Sequence, residues 1–152
     1  MKIQEKIIIN GTKENVWNVI SDIKNSSNFI RGIEKVEILD QTENSLKGLK
    51  WKETRILYGK SAVETMWITD VKEYESYSTR AESHGAIYIS NFVLNEKDGM
   101  TELSMNFFSE SITLGAKLLS IMFFLFAGAT KKAFKEDLTD IKAAVEKQSS
   151  SL

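Results

Sequence analysis

Between Glu34 and Ser109 the chain reads as six strand candidates separated by short connectors, and no other feature restricts its fold as much. The candidates are Lys35 to Leu39, Leu49 to Tyr58, Ser61 to Val71, Tyr74 to Glu82, Ala86 to Leu94 and Thr101 to Phe108. They are divided by Glu43-Asn44-Ser45, Gly59-Lys60, Lys72-Glu73, the neighbourhood of Gly85, and Lys97-Asp98-Gly99. Parallel neighbours need crossovers of a dozen residues or more, so connectors this short impose antiparallel hairpins. Residues Lys2 to Ile9 add a first strand, with Ile3, Ile7 and Ile9 on one side of a period-two ladder, for about seven strands.

Two short helices are expected after the first strand. Thr12 suits an N-cap, Glu14 suits the positive first turn, and Val16, Trp17, Ile20 and Ile23 recur at helical spacing. Asn25-Ser26-Ser27-Asn28 is turn chemistry, and Phe29 and Ile30 before Gly32 suggest a second helical turn packed on the first. From about Thr113 to Lys147 the sequence reads as one long helix. Phe134, Leu138, Ile141 and Val145 form a buried stripe there, while Lys135, Glu136, Asp140, Lys142 and Glu146 fall elsewhere. The expectation is an α+β fold of one domain over residues 1–147, with a flexible tail at 148–152.

The first half of that helix, Leu118 to Ala129, is apolar on every face. Twelve residues rise about 18 Å, against roughly 30 Å of hydrocarbon, so it is too short to span a membrane. It is covered by core, forms a cavity wall, or makes a transient membrane-surface or homodimer contact.

Composition narrows the chemistry. The formal charge of −1, from 20 Lys and Arg against 21 Asp and Glu, leaves no net field for nucleic acid. The absence of Cys rules out disulfides, thiol nucleophiles and thiolate zinc sites, and a single His rules out a multi-His metal site. No cofactor motif is read. The apolar run at Ile7-Ile8-Ile9 is too short for a signal peptide and follows Glu5, so the expected location is cytoplasmic.

The local motifs resemble those of the START-like, polyketide cyclase/dehydrase superfamily. Asn15-Val16-Trp17-Asn18-Val19-Ile20-Ser21-Asp22 resembles its "VW..isD" stretch and Gly48-Leu49-Lys50-Trp51-Lys52-Glu53-Thr54-Arg55 its "G..w.etR" strand. Gly99-Met100-Thr101 is similar to its "G.T" turn, and Phe134 to Lys142 to its closing helix. The resemblance spans Ile3 to about Glu146. It implies a helix-grip fold, a curved antiparallel sheet around the long helix, with a hydrophobic cavity between them. Members of the superfamily carry lipids, sterols, quinones or hormones, or act as cyclases or dehydratases; fold analogy alone selects neither branch.

If Gly59-Lys60 makes a two-residue turn, Tyr58 pairs with Ser61, Leu57 with Ala62, Arg55 with Glu64, Glu53 with Met66 and Trp51 with Ile68. Alternation then puts Trp51, Leu57, Met66 and Ile68 on one face with Glu53, Arg55 and Glu64 among them, and this face is assigned inward. An inward Arg55 and Glu64 must pair or grip a ligand carboxylate; the alternative is an outer-face salt bridge worth about 0.2 to 1 kcal/mol.

Tyr88, Phe92, Met105 and Phe107 are candidate cavity residues or ordinary core, and Met122 is a further ligand-binding candidate. His84, beside Gly85 at a strand bend, is an exposed turn residue or an acid catalyst. Two functions compete. One is a module that binds or carries an apolar or amphipathic molecule of lipid, quinone, polyketide or aromatic type. The other is a cyclase or dehydratase with Glu64 or Glu53 as base, Arg55 as stabiliser and Tyr88 or His84 as acid. The missing catalytic signature favours binding, and a third class, a protein-interaction module using the Leu118 to Ala129 surface, stays open.

Overall fold

The computed structural model describes residues 1–57 and 59–151, and for residues 116–126 the backbone alone. The elements run β1 (Lys2–Asn10), α1 (Lys13–Ile20), a 3-10 helix (Ile23–Asn28), β2 (Ile33–Asp40), β3 (Lys50–Leu57), β4 (Lys60–Lys72), β5 (Ser76–Ser83), β6 (Ala86–Lys97), β7 (Met100–Ser111) and α2 (Leu114–Ser149). All seven strands form one antiparallel sheet in the order β1-β7-β6-β5-β4-β3-β2, which does not close on itself. Register shifts at Ile33/Lys35, Ile38/Asp40 and Ile68/Asp70 bend the strands there. The sheet curves, and the helices lie in its concave face. Among the described residues no helix is long and apolar enough to cross a membrane.

The hairpins follow their turn residues. His84 and Gly85 (φ +50° and +74°) join Ser83 to Ala86, and Asp98 and Gly99 (φ +54° and +76°) join Lys97 to Met100. Positive φ at both central residues matches the right-handed twist of the flanking strands. Gly85 also meets close packing, since a Cβ there would lie 2.5 Å from Thr113 Oγ1.

Three local expectations are corrected. Leu57 faces Lys60, so Arg55 faces Ala62, Glu53 faces Glu64 and Trp51 faces Met66, a register two residues tighter than expected. The reason is that Gly59, at φ +73°, belongs within the turn while Lys60 already pairs in the ladder; Tyr58 and its expected pairing lie outside the described residues. Tyr74 sits in the β4–β5 turn at φ +61°, so β5 begins at Ser76. Ile23 is not part of α1. Asp22 leaves the helical region at ψ 63°, and the second helical turn forms at Ile23–Asn28, ahead of Phe29.

Thr12 caps α1 as its side chain accepts from the Asn15 amide at 3.2 Å, and the helix buries Val16, Trp17, Val19 and Ile20. In α2 the stripe packs inward, with Leu138, Ile141 and Val145 all but fully buried and Phe134 partly so. They join Ile9, Val16, Ile68 and Leu103 in the core. Polar ties fix the helix at its C-terminal half. Arg31 Nε meets Asp140 Oδ1 at 2.9 Å, Lys142 Nζ donates to the Ile8 carbonyl at 2.6 Å, and the Asn10 amide donates to Glu146 at 2.9 Å. The helix continues to Ser149, where the hydroxyls of Ser149 and Ser150 return to the Val145 and Glu146 carbonyls.

Candidate binding cavity

A cavity of about 480 Å³ lies between the concave face, α1, the 3-10 helix and α2. It exists because the inward residues of the middle strands are mixed in size: Trp51, Met66, Tyr88 and Phe92 alternate with Ala62, Thr79, Ala81 and Ser90, leaving space the helices do not fill. Met105 and Phe107 continue the wall on β7, and Phe134 and Ile141 close it from α2. The aromatics are mutually packed. Tyr88 stacks on Phe107 at 6.1 Å between centroids, Phe107 meets Phe134 at 5.3 Å and Tyr77 meets Phe92 at 5.1 Å. The side chain of Met122 lies outside the described part of the structure.

Strand alternation survives the register correction, because a shift of two residues preserves the face. Trp51, Glu53, Arg55, Glu64 and Met66 all line the cavity, as do Tyr88, Phe92, Met105 and Phe107. The pairing of the charges differs from expectation. Arg55 Nε donates to Glu53 Oε1, Arg55 Nη2 meets Asp137 Oδ2 at 2.8 Å, and Trp51 Nε1 donates to Glu53 Oε2 at 3.2 Å. Gly32 backs this group, where a Cβ would stand 3.4 Å from both Arg55 Nη1 and Asp137 Oδ1.

One cation thus serves two carboxylates. Burial works against the Arg55 charge, but Asp137 and then Glu53 outweigh it and hold the guanidinium above its ordinary range. Asp137 comes out the other way. Its own burial pushes its carboxyl up, Arg55 pulls it back only in part, and Glu53 adds repulsion. The same Glu53, after burial, raises the Tyr77 hydroxyl, which stays a donor to the Ile20 carbonyl at 3.1 Å.

Glu64 has no hydrogen-bond or ion-pair partner among the described residues. Burial raises its carboxyl, with His84 acting in the opposite sense. Burial and then Glu64 raise the Tyr88 hydroxyl, so Glu64, Tyr88 and His84 form a second polar pole. His84 is exposed, lies in its turn, and places Nδ1 2.6 Å from Ser83 Oγ at the cavity rim.

The sequence reading does not single out Asp137, although a signal exists. It falls between Phe134 and Ile141 on the buried stripe, where a carboxylate requires a partner. Glu5 is similar, an acid between Ile3 and Ile7 on an inward face. It is buried against Lys131 Nζ at 3.3 Å and Lys135 Nζ at 3.9 Å, and its Oε1 has no hydrogen bond among the described residues.

No protein-family model and no curated protein matches the sequence. Solved structures do match its shape. A protein of Thermus thermophilus is similar with a TM-score of 0.78 at 12% identity, over 98% of this chain and 99% of that one. An aromatase/cyclase from a Streptomyces species gives 0.75 at 12% identity, over 97% and 94%. A START superfamily protein of Mycobacterium smegmatis gives 0.73 at 14% identity, over 97% and 98%. The fold is therefore the START-like, polyketide cyclase-like helix-grip fold, as the motifs implied.

Proposed function

We propose that the chain is a binding or carrier module for an apolar or amphipathic small molecule of lipid, quinone, polyketide or aromatic type, held between sheet and helix. One observation carries this reading: a cavity of about 480 Å³ with mainly aromatic and aliphatic walls, within the roughly 300 to 1,000 Å³ of small-molecule sites. The pairing of Arg55 with Glu53 and Asp137 fits a holder better than a catalyst, because both groups of the expected Glu53–Arg55 machinery already satisfy each other.

The test is titration with an environment-sensitive apolar dye. Saturable one-to-one binding is expected, and Ser90→Trp, which puts an indole into the cavity, is expected to abolish it. A Ser90→Trp protein that melts like the parent and binds dye unchanged overturns this location.

A second reading, a cyclase or dehydratase, draws on Glu64, a carboxyl without a hydrogen-bond or ion-pair partner among the described residues that burial makes a stronger base, beside Tyr88. It predicts turnover of a linear polyketone or a dehydratable alcohol that Glu64→Gln abolishes at little cost in affinity. Absence of turnover in the parent leaves the carrier reading alone.

A further inference from the structure

The charge inventory of the cavity bears on which polar group its ligand carries, an inference that rests on the binding reading above. Among the described lining residues three carboxyl groups, Glu53, Glu64 and Asp137, face one guanidinium, that of Arg55, with the His84 imidazole at the rim on the Glu64 side and no lysine. Arg55 is held by Glu53 through Nε and by Asp137 through Nη2, and Gly32 lies against Nη1. A ligand carboxylate would compete with these partners and would add a fourth acid around a single cation. Glu64 is the reverse case, an acceptor with no partner among the described residues.

We propose that the cavity selects an amphipathic ligand whose polar group is a hydrogen-bond donor, an amine or a hydroxyl, directed at Glu64, and that it discriminates against acids. Three features support this. The walls supply affinity through apolar area. A donor reaching Glu64 gains a charge-assisted hydrogen bond. An acid there meets like charge in a medium that screens poorly. Tyr88, within the electrostatic influence of Glu64, offers the hydroxyl of such a ligand a second polar neighbour.

The test uses four probes with one aromatic body: naphthalene, naphthylmethylamine, naphthylmethanol and naphthoate, each titrated at neutral pH by displacement of the apolar dye. The amine and the alcohol are expected to bind about tenfold or more tighter than naphthoate, the scale of one charge-assisted hydrogen bond gained or lost. Glu64→Gln is expected to narrow the gap between amine and naphthoate at least threefold, with binding of naphthalene unchanged. The parent series needs no variant, so it decides even if that substitution disturbs folding. Naphthoate binding as tightly as the amine, with naphthalene bound, overturns the donor preference and leaves the cavity reading intact. A gap that persists undiminished in a folded Glu64→Gln protein overturns the role of Glu64. Failure of all four probes and the dye overturns the binding reading itself.

Discussion

Asp137, on the helix, meets the guanidinium of Arg55, on the sheet, at 2.8 Å, so the two layers are joined by an ion pair inside the cavity they enclose. The joint is unequal, since Glu53 shares the same cation. Arg55→Met would leave two buried carboxylates facing each other and is expected to cost about 3 kcal/mol. That is the lower end for breaking a buried pair, because 23% of the Arg55 side chain is exposed. Asp137→Asn keeps an acceptor for Arg55 and removes one of two competing charges. It is expected to stay within about 1 kcal/mol of the parent. Urea unfolding of both variants checks the contrast, and equal losses would refute it.

Glu64 makes a prediction about pH. Its folded-state carboxyl lies above the ordinary value, so the native state binds its proton more tightly than the unfolded chain. The associated stability is fully present below the unfolded pKa and is lost as pH rises through the folded one. At neutral pH the parent therefore carries a cost that Glu64→Gln lacks. The variant is expected to have the higher melting temperature there, with the difference closing as pH falls below the carboxylate range. A difference that is constant from acid to neutral pH would contradict this origin.

Glu5 should behave unlike Arg55, although both are charges on the concave face. Its partner Lys131 is 55% exposed at the side chain and returns to water when the carboxylate is removed. Glu5→Met strands no buried charge and removes an oxygen without a hydrogen bond among the described residues. Stability is expected to be unchanged or raised. Thermal melts of this variant beside Arg55→Met provide the check.

Two turn glycines separate backbone strain from packing. Gly59→Ala meets positive φ and nothing within 4 Å, so the expected loss is about 1 kcal/mol. Gly85→Ala meets the same φ cost and, in addition, a Cβ 2.5 Å from Thr113 Oγ1. Its loss should exceed that of Gly59→Ala by about 1 kcal/mol or more, the scale of overpacking. Equal denaturation midpoints would show that Thr113 yields freely.

The strands and the long helix are legible because alternation and the Phe134-Leu138-Ile141-Val145 stripe are periodic signals. Turn geometry was less so. Nothing in the Gly59-Lys60 pair itself reveals whether Lys60 turns or pairs, and the register moved by two residues as a result. Among the site residues, the sequence placed Trp51, Glu53, Arg55, Glu64 and Met66 on one face, since that follows from parity alone. It did not identify the partner of Arg55. Asp137 is supplied from another layer far along the chain, and strand pairing carries no information about what a helix presents across a cavity.

The strand order has a consequence for how the chain comes to be folded. β1 pairs along its whole length with β7, from Lys2 with Phe108 to Asn10 with Met100. During synthesis the first strand therefore waits for the last, on the order of five to twenty seconds at ordinary rates of elongation. Throughout that interval the apolar run Ile7-Ile8-Ile9 has no ladder partner for its backbone. Such segments recruit other chains or chaperones. The slow, exposed stage of folding is thus set by β1, and it ends once β7 is available to pair.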